Sequence, residues 1–441
     1  MLKYYLFNLY ILIILYNKNK GEDSIKYLIL PFRTEIQEIT KDNYLSIYYD
    51  NKIFIDIEVG TPPQKIPINL KFENYPFFII SSQSENLPKK YFNETKSSSY
   101  KKNSSNPYNI SRELFSECYF SNDTVNLNQN IIKEFNFILA SKMNNKEINY
   151  SGQIGLRLGP TTKERNEKTA DYNFINSLKK NGKISGYEFT FIYKTENEGD
   201  LIIGSRLDEI DKKNYNFNNF VTTKGAEPTY PTRWQITFDN IYFNNYSNQS
   251  IQVDLYIENG FMQCPDYFFD AFKLSFFENY IKNNICTIKI HFYTRFIICE
   301  KDFDINNFGN ISFELKDIQK NFTFTNQNLF YDIKNVGKLF IFSNRQLSNN
   351  WRFGKPFFTS FNITFNKDRK IIGLYKKLGE NDEQNLRLFN IISLIICLMT
   401  SIFVCGLLIY IAFFRANKQS KLRAQELQED DVYMENLLNK K

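Results

Sequence analysis

Two short segments of the chain carry the side chains best suited to acid–base work. One is Leu70 to Tyr75, LKFENY, and the other is Leu255 to Gly260, LYIENG. They resemble each other position by position: Leu70 with Leu255, Glu73 with Glu258, Asn74 with Asn259. Two carboxylates held about 3 Å apart share one proton, so that one serves as base and the other as acid. A Glu73/Glu258 pair is therefore one possible source of hydrolytic chemistry. Other chemistries have less to draw on. His291 is the only histidine, which argues against a His-based triad or a His-rich metal site. No Gly-rich phosphate loop is evident, and neither a metal nor a cofactor is expected.

These segments sit in a chain of 441 residues, long enough for two or three domains and a substantial core. The net charge of +7 is spread along the chain, which argues against a nucleic-acid partner. The aromatic share of 17%, with abundant Asn and Lys, reads as a compositional habit of the source genome.

Lys3 and the apolar run Tyr4 to Tyr16 have the form of a signal peptide, expected over residues 1–20. A second apolar run, Ile391 to Phe414, would make a helix about 36 Å long, enough to cross a bilayer core of about 30 Å. Arg415, Lys418, Lys421 and Arg423 follow it, placing the C-terminus on the cytoplasmic side. The expected layout is a single-pass type I membrane protein with a luminal or extracellular ectodomain. An N-terminal segment would cover 21–47, the ectodomain 48–375, a stalk 376–390, the transmembrane helix 391–414 and a cytoplasmic tail 415–441. Cys397 and Cys405 lie in the span, and Cys118, Cys264, Cys286 and Cys299 in a compartment that permits disulfides. Among the Asn-x-Ser/Thr sequons, Asn93, Asn149, Asn245 and Asn310 are candidates for glycosylation.

The elements that must position the two Glu segments are mainly strands. Short alternating runs such as IFIDIEVG, YEFTFIYKT, WQITFDNIYF, NISFEL and FNITFN recur between Asn, Gly, Asp and Ser clusters. Helical patterns are short, the best being Tyr172 to Lys180 and Asp266 to Phe276, the second opened by Pro265 and Asp266.

Gly60-Thr61-Pro62-Pro63-Gln64 turns between two such strands and leads to Phe77-Phe78-Ile79 and Ser81. Further on come Gly152-Gln153-Ile154-Gly155-Leu156, then Glu198 to Gly204 with Leu207-Asp208. Trp234 to Ile241 and Gly354 to Gly373 complete the series. In order and spacing these blocks resemble the pepsin-like aspartic peptidase family over roughly residues 48 to 375. The resemblance implies an all-β, bilobal fold, with lobe 1 about 48–200 and lobe 2 about 201–375. It implies a peptide-binding cleft between the lobes, with one catalytic Asp-Thr-Gly contributed by each. It also implies a disulfide between Cys286 and Cys299; Cys118 and Cys264 have no family partner and read as buried thiols.

Neither Asp-Thr-Gly is present. Counting without gaps from Gly60 puts Lys71-Phe72-Glu73 on the first motif, and counting back from Pro265 puts Tyr256-Ile257-Glu258 on the second. A two-residue shift in both lobes would instead put Glu73 and Glu258 on the aspartate positions. The ungapped count is favoured, because the shift needs compensating gaps and sets Tyr75 where the first lobe wants glycine. The family's flap tyrosine would fall at Ser111, with Tyr108 three residues away, and the flap glycines are missing. The expectation is a membrane-anchored homologue of aspartic-type endopeptidases that has lost catalysis and keeps its cleft for a peptide or protein ligand. The alternatives are an endopeptidase using a Glu pair at acidic pH and a structural surface glycoprotein.

Overall fold

The computed structural model describes residues 26–34, 43–45, 51–72, 76–84, 87–88, 90–104, 107, 115–143, 150–156, 171–211, 215, 220–224, 233–243, 246–333, 336–345 and 350–375. It also describes 392–393, 396, 399–400, 403–411 and 413–424. The first half supplies β1 (Leu28–Thr34), β2 (Ile53–Val59), β3 (Gln64–Lys71), β4 (Phe78–Ile80), β5 (Lys101–Lys102), β6 (Phe115–Leu127), β7 (Asn130–Met143), β8 (Gly152–Gly155), β9 (Glu188–Tyr193) and β10 (Glu198–Ile203). The second half begins with β11 (Phe220–Lys224), β12 (Gln235–Phe243), β13 (Tyr246–Leu255), β14 (Met262–Gln263), β15 (Cys286–His291), β16 (Thr294–Cys299) and β17 (Ile311–Leu315). It ends with β18 (Lys320–Phe324), β19 (Phe330–Ile333), β20 (Gly337–Phe340), β21 (Phe342–Arg345), β22 (Trp351–Phe353), β23 (Asn362–Asn366) and β24 (Ile371–Tyr375). The short helices α1 (Phe174–Lys180) and α2 (Asp266–Phe272) fall where helical periodicity places them. The second continues through a π turn, Lys273–Phe277.

β2 and β3 form a hairpin in register from Ile53 opposite Leu70 to Val59 opposite Gln64. Their alternating apolar residues are buried on one side, which fixes that register. The turn is the GTPPQ segment. Gly60 opens it at φ +92°, and a Cβ there would come within 2.9 Å of Ser97 Oγ, so glycine is required on both counts.

The two halves share one strand order. In the first it runs β2-β3-β8-β4-β7-β6, and in the second β12-β13-β22-β14-β21-β16. Directions match as well: β3/β8 and β13/β22 are parallel, β4/β8 and β14/β22 antiparallel, β4/β7 and β14/β21 parallel. Asn69 lies opposite Gln153, which lies opposite Phe78; Asp254 lies opposite Arg352, which lies opposite Gln263. The chain takes the same number of residues from Asn69 to Phe78 as from Asp254 to Gln263. This register pairs Lys71 with Tyr256 and Phe72 with Ile257. It matches Glu258 to the position of Glu73, which lies outside the described residues.

The halves are joined by a shared run of strands, β11-β24-β23-β9-β10-β1, continuous with β2. The expected boundaries change accordingly. β1 lies within the segment 21–47 that the sequence set apart, yet it is bonded on both sides, to β10 and β2. Pro31 in its middle weakens the strand signal, since proline has no ladder N–H to give. The lobe boundary drawn at 200/201 falls inside β10, and β23 returns from the second half to pair with β9. One apolar core runs through both halves.

Residues 1–377 and 378–441 are separate compact units. In the second unit, 403–411 and 413–424 are helical and exposed. Among the described residues no helix is long and apolar enough to cross a membrane. The span expected at 391–414 lies partly outside those residues, and the signal peptide expected at 1–20 wholly so.

The mostly-β character and the Cys286–Cys299 disulfide agree with expectation. The two cysteines face each other at the base of the β15–β16 hairpin. Cys118 and Cys264 are buried thiols, and burial pushes the Cys264 thiol well above its usual range. Replacing Cys286 and Cys299 together by serine should lower the unfolding free energy by about 2–4 kcal/mol, read by chemical denaturation of the oxidised and reduced protein. An unchanged midpoint on reduction would show that the bridge does not limit stability.

Candidate functional site

The candidate site is where the two matched loops meet. In the first half, Lys71 ends β3; it pairs with Gly155, and its carbonyl accepts the Leu156 N–H at 2.8 Å. Its side chain is half-buried. Phe72 follows with its ring buried. That ring packs on Phe365 at 5.0 Å between centroids, Phe358 at 5.8 Å, Phe191 at 5.9 Å and Phe189 at 6.2 Å. These partners come from β9, from β23 and from α3 (Lys355–Ser360). A bulky aromatic thus occupies the middle of the first loop and anchors it to the strands shared by both halves.

In the second half, Tyr256 continues the line of β13, its N–H donating to the Phe353 carbonyl at 2.9 Å. The Arg352 guanidinium lies over the Tyr256 ring at 5.3 Å, a cation–π contact. Asn259 N–H closes a tight turn on the Tyr256 carbonyl at 3.1 Å, and Lys355 N–H caps the Asn259 carbonyl at 2.7 Å. Gly354 is needed here because a Cβ would stand 1.9 Å from the Asn259 carbonyl oxygen. Lys355 itself is buried, and burial lowers its ammonium below the usual lysine range, opposed by Glu196 at 3.7 Å.

The loops touch directly. Phe72 N–H donates to Glu258 Oε2 at 3.2 Å. Asn51 donates twice across the same boundary, from its backbone N–H to the Glu258 carbonyl at 2.9 Å and from Nδ2 to the Ile257 carbonyl at 3.0 Å. Trp234 Nε1 donates to the Leu156 carbonyl at 3.0 Å, a buried bond in the opposite direction. The Glu258 carboxyl group is therefore oriented toward the first loop.

The sequence-derived candidates fall as follows. Lys71, Tyr256 and Glu258 are half-buried around this junction. Glu73, Tyr108 and Ser111 lie outside the described residues, as do Asn149 and Asn245. His291 is half-exposed in the β15–β16 hairpin, stacked edgewise on Phe292. Asn310 is exposed. Asn93 is half-buried, and its Oδ1 accepts from Thr95 N at 3.2 Å and Thr95 Oγ1 at 2.7 Å. Asn362, another sequon, is buried and closed to a glycan in the folded state. Among the described residues no group of three or more His, Cys, Asp or Glu could hold a metal ion. Asn51 was missed from the sequence. An asparagine just ahead of a strand gives no signal that its amide will cross to a loop some 200 residues later.

A sequence model of the eukaryotic aspartyl protease family matches residues 52–377. No curated protein matches the chain.

Asn51→Ala removes the donor to the buried Ile257 carbonyl and should cost about 1–3 kcal/mol. Phe72→Ala opens a cavity among four phenylalanine rings and should cost about 3–5 kcal/mol. Both are read as shifts of the denaturation midpoint. Losses below about 0.5 kcal/mol, as for ordinary surface changes, would refute the role given to these two residues.

Proposed function

The chain belongs to the eukaryotic aspartyl protease family, and we propose that it is a non-catalytic member whose interlobe cleft binds peptide or protein. The observation that carries this reading is the pair of residues at the matched strand ends. Family chemistry needs two carboxylates sharing a proton, one from each lobe. At the equivalent ends of β3 and β13 this chain has Lys71 and Tyr256. An ammonium and a phenol are not a pair of carboxylates that can share one proton. A cleft without its acid pair can still hold an extended peptide through main-chain hydrogen bonds.

The ectodomain is proposed to be a glycoprotein held at a membrane by the apolar stretch 391–414, after removal of the signal peptide 1–20, with the basic tail on the cytoplasmic side. This rests on hydropathy and the Lys/Arg bias. Extraction from membranes by detergent but not by alkaline carbonate is the expected behaviour; release by carbonate would refute the anchor.

A second reading has one observation in its favour. The Glu258 carboxylate reaches the first loop at Phe72, next in sequence to Glu73. A Glu73/Glu258 pair would make the protein an endopeptidase at acidic pH. The deciding assay is cleavage of a denatured protein substrate by the purified chain between about pH 3 and 6, around the carboxylate range. The expected result is no cleavage above background. Turnover that is abolished by Glu258→Gln and blocked by a transition-state mimic would overturn the non-catalytic reading.

A further inference from the structure

One group of buried polar atoms on the first lobe has no partner. Asn69 and Gln153 face each other across β3 and β8, and each is 1% exposed. Both polar atoms of the Asn69 carboxamide and Nε2 of Gln153 lack a hydrogen bond, while Gln153 Oε1 accepts from Tyr150 Oη at 3.3 Å. Unpartnered buried polar groups are rare in native proteins, and each needs an explanation such as a bound molecule. Here they are neighbours, and they sit on the strand that leads to the candidate site.

The chemistry of these unpartnered groups is one-sided. Two primary amides offer four N–H donors against the single remaining carbonyl of Asn69. Side chains alternate along a strand, so Lys71 lies on the same face as Asn69, about 7 Å further along. Lys71, at the end of this face, is half-buried. The cluster is rich in donors and bordered by a cation, which suits a carboxylate.

The second lobe shows what satisfies this position. Asp254 holds the place of Asn69 in the matched register. Its carboxylate accepts from Arg233 Nη1 at 2.9 Å and from Gln235 Nε2. There the carboxylate is part of the chain; in the first lobe the donors are present and the carboxylate is not.

We propose that Asn69, Gln153 and Lys71 form a subsite that takes the carboxylate of an Asp or Glu side chain from an extended peptide. The proposal rests on the reading of the cleft as a peptide-binding groove, and it gives that groove an acidic specificity.

The test uses the full chain in detergent micelles and fluorescence anisotropy with labelled peptides from a positional library. Matched peptides differ only by Glu, Gln or Leu at one position. At one position the Glu peptide should bind on the order of ten-fold tighter than its Gln and Leu counterparts. Asn69→Asp, which copies the second lobe, should fill the subsite from within and abolish that preference without lowering the melting temperature. Asn69→Leu combined with Gln153→Leu should do the same by removing the donors. Binding that shows no preference for Glu at any position, as expected if the amides hold only water, would overturn the subsite and leave the peptide-binding cleft standing. A preference that survives both variants would also overturn it. Absence of binding by every peptide would overturn the cleft reading and the subsite together.

Discussion

The structure turns on one crossing point, where the Glu258 segment of the second lobe is gripped by the first. Asn51 takes the carbonyls of Ile257 and Glu258, and the Phe72 N–H takes the Glu258 side chain. The Asn51 Nδ2 bond to the Ile257 carbonyl is buried, so it is expensive to lose. Because the two loops sit at equivalent ends of β3 and β13, fixing one against the other fixes the two sheets. The aromatic cluster around Phe72 then fills the space beneath them.

That arrangement has a consequence for chemistry. A general acid–base pair needs carboxylates free to exchange a proton with water and substrate. Glu258 is oriented by a main-chain donor of the first half, and the Phe72 ring packs into the core. Both residues tie the lobes together. The junction ties the two halves together through main-chain and side-chain bonds.

Much of the fold was legible because its signals are local. The GTPPQ turn demands a glycine at positive φ, the strands of both halves alternate with period two, and Pro265-Asp266 opens a helix. The pairing of LKFENY with LYIENG was legible too, and the shared strand register supports it. What escaped was non-local or locally contradicted. β1 carries a proline in its middle, and the return of β23 to β9 joins residues more than 170 positions apart. Asn51, Asn69 and Gln153 look in sequence like ordinary polar residues on strands. Only the register shows that Asn51 is fully used while Asn69 is left with nothing to bond.

The duplicated lobes also allow a comparison that one lobe alone would not. Equivalent positions differ in charge: Asn69 against Asp254, Gln153 against Arg352, Lys71 against Tyr256. In the second lobe the acid is matched internally, by Arg233 and Gln235, while Arg352 turns to the Tyr256 ring. In the first lobe an amide stands where the second has its acid, Gln153 where it has Arg352, and a lysine where it has Tyr256. Over these three pairs the first lobe carries one formal positive charge, and the second a balanced Asp and Arg.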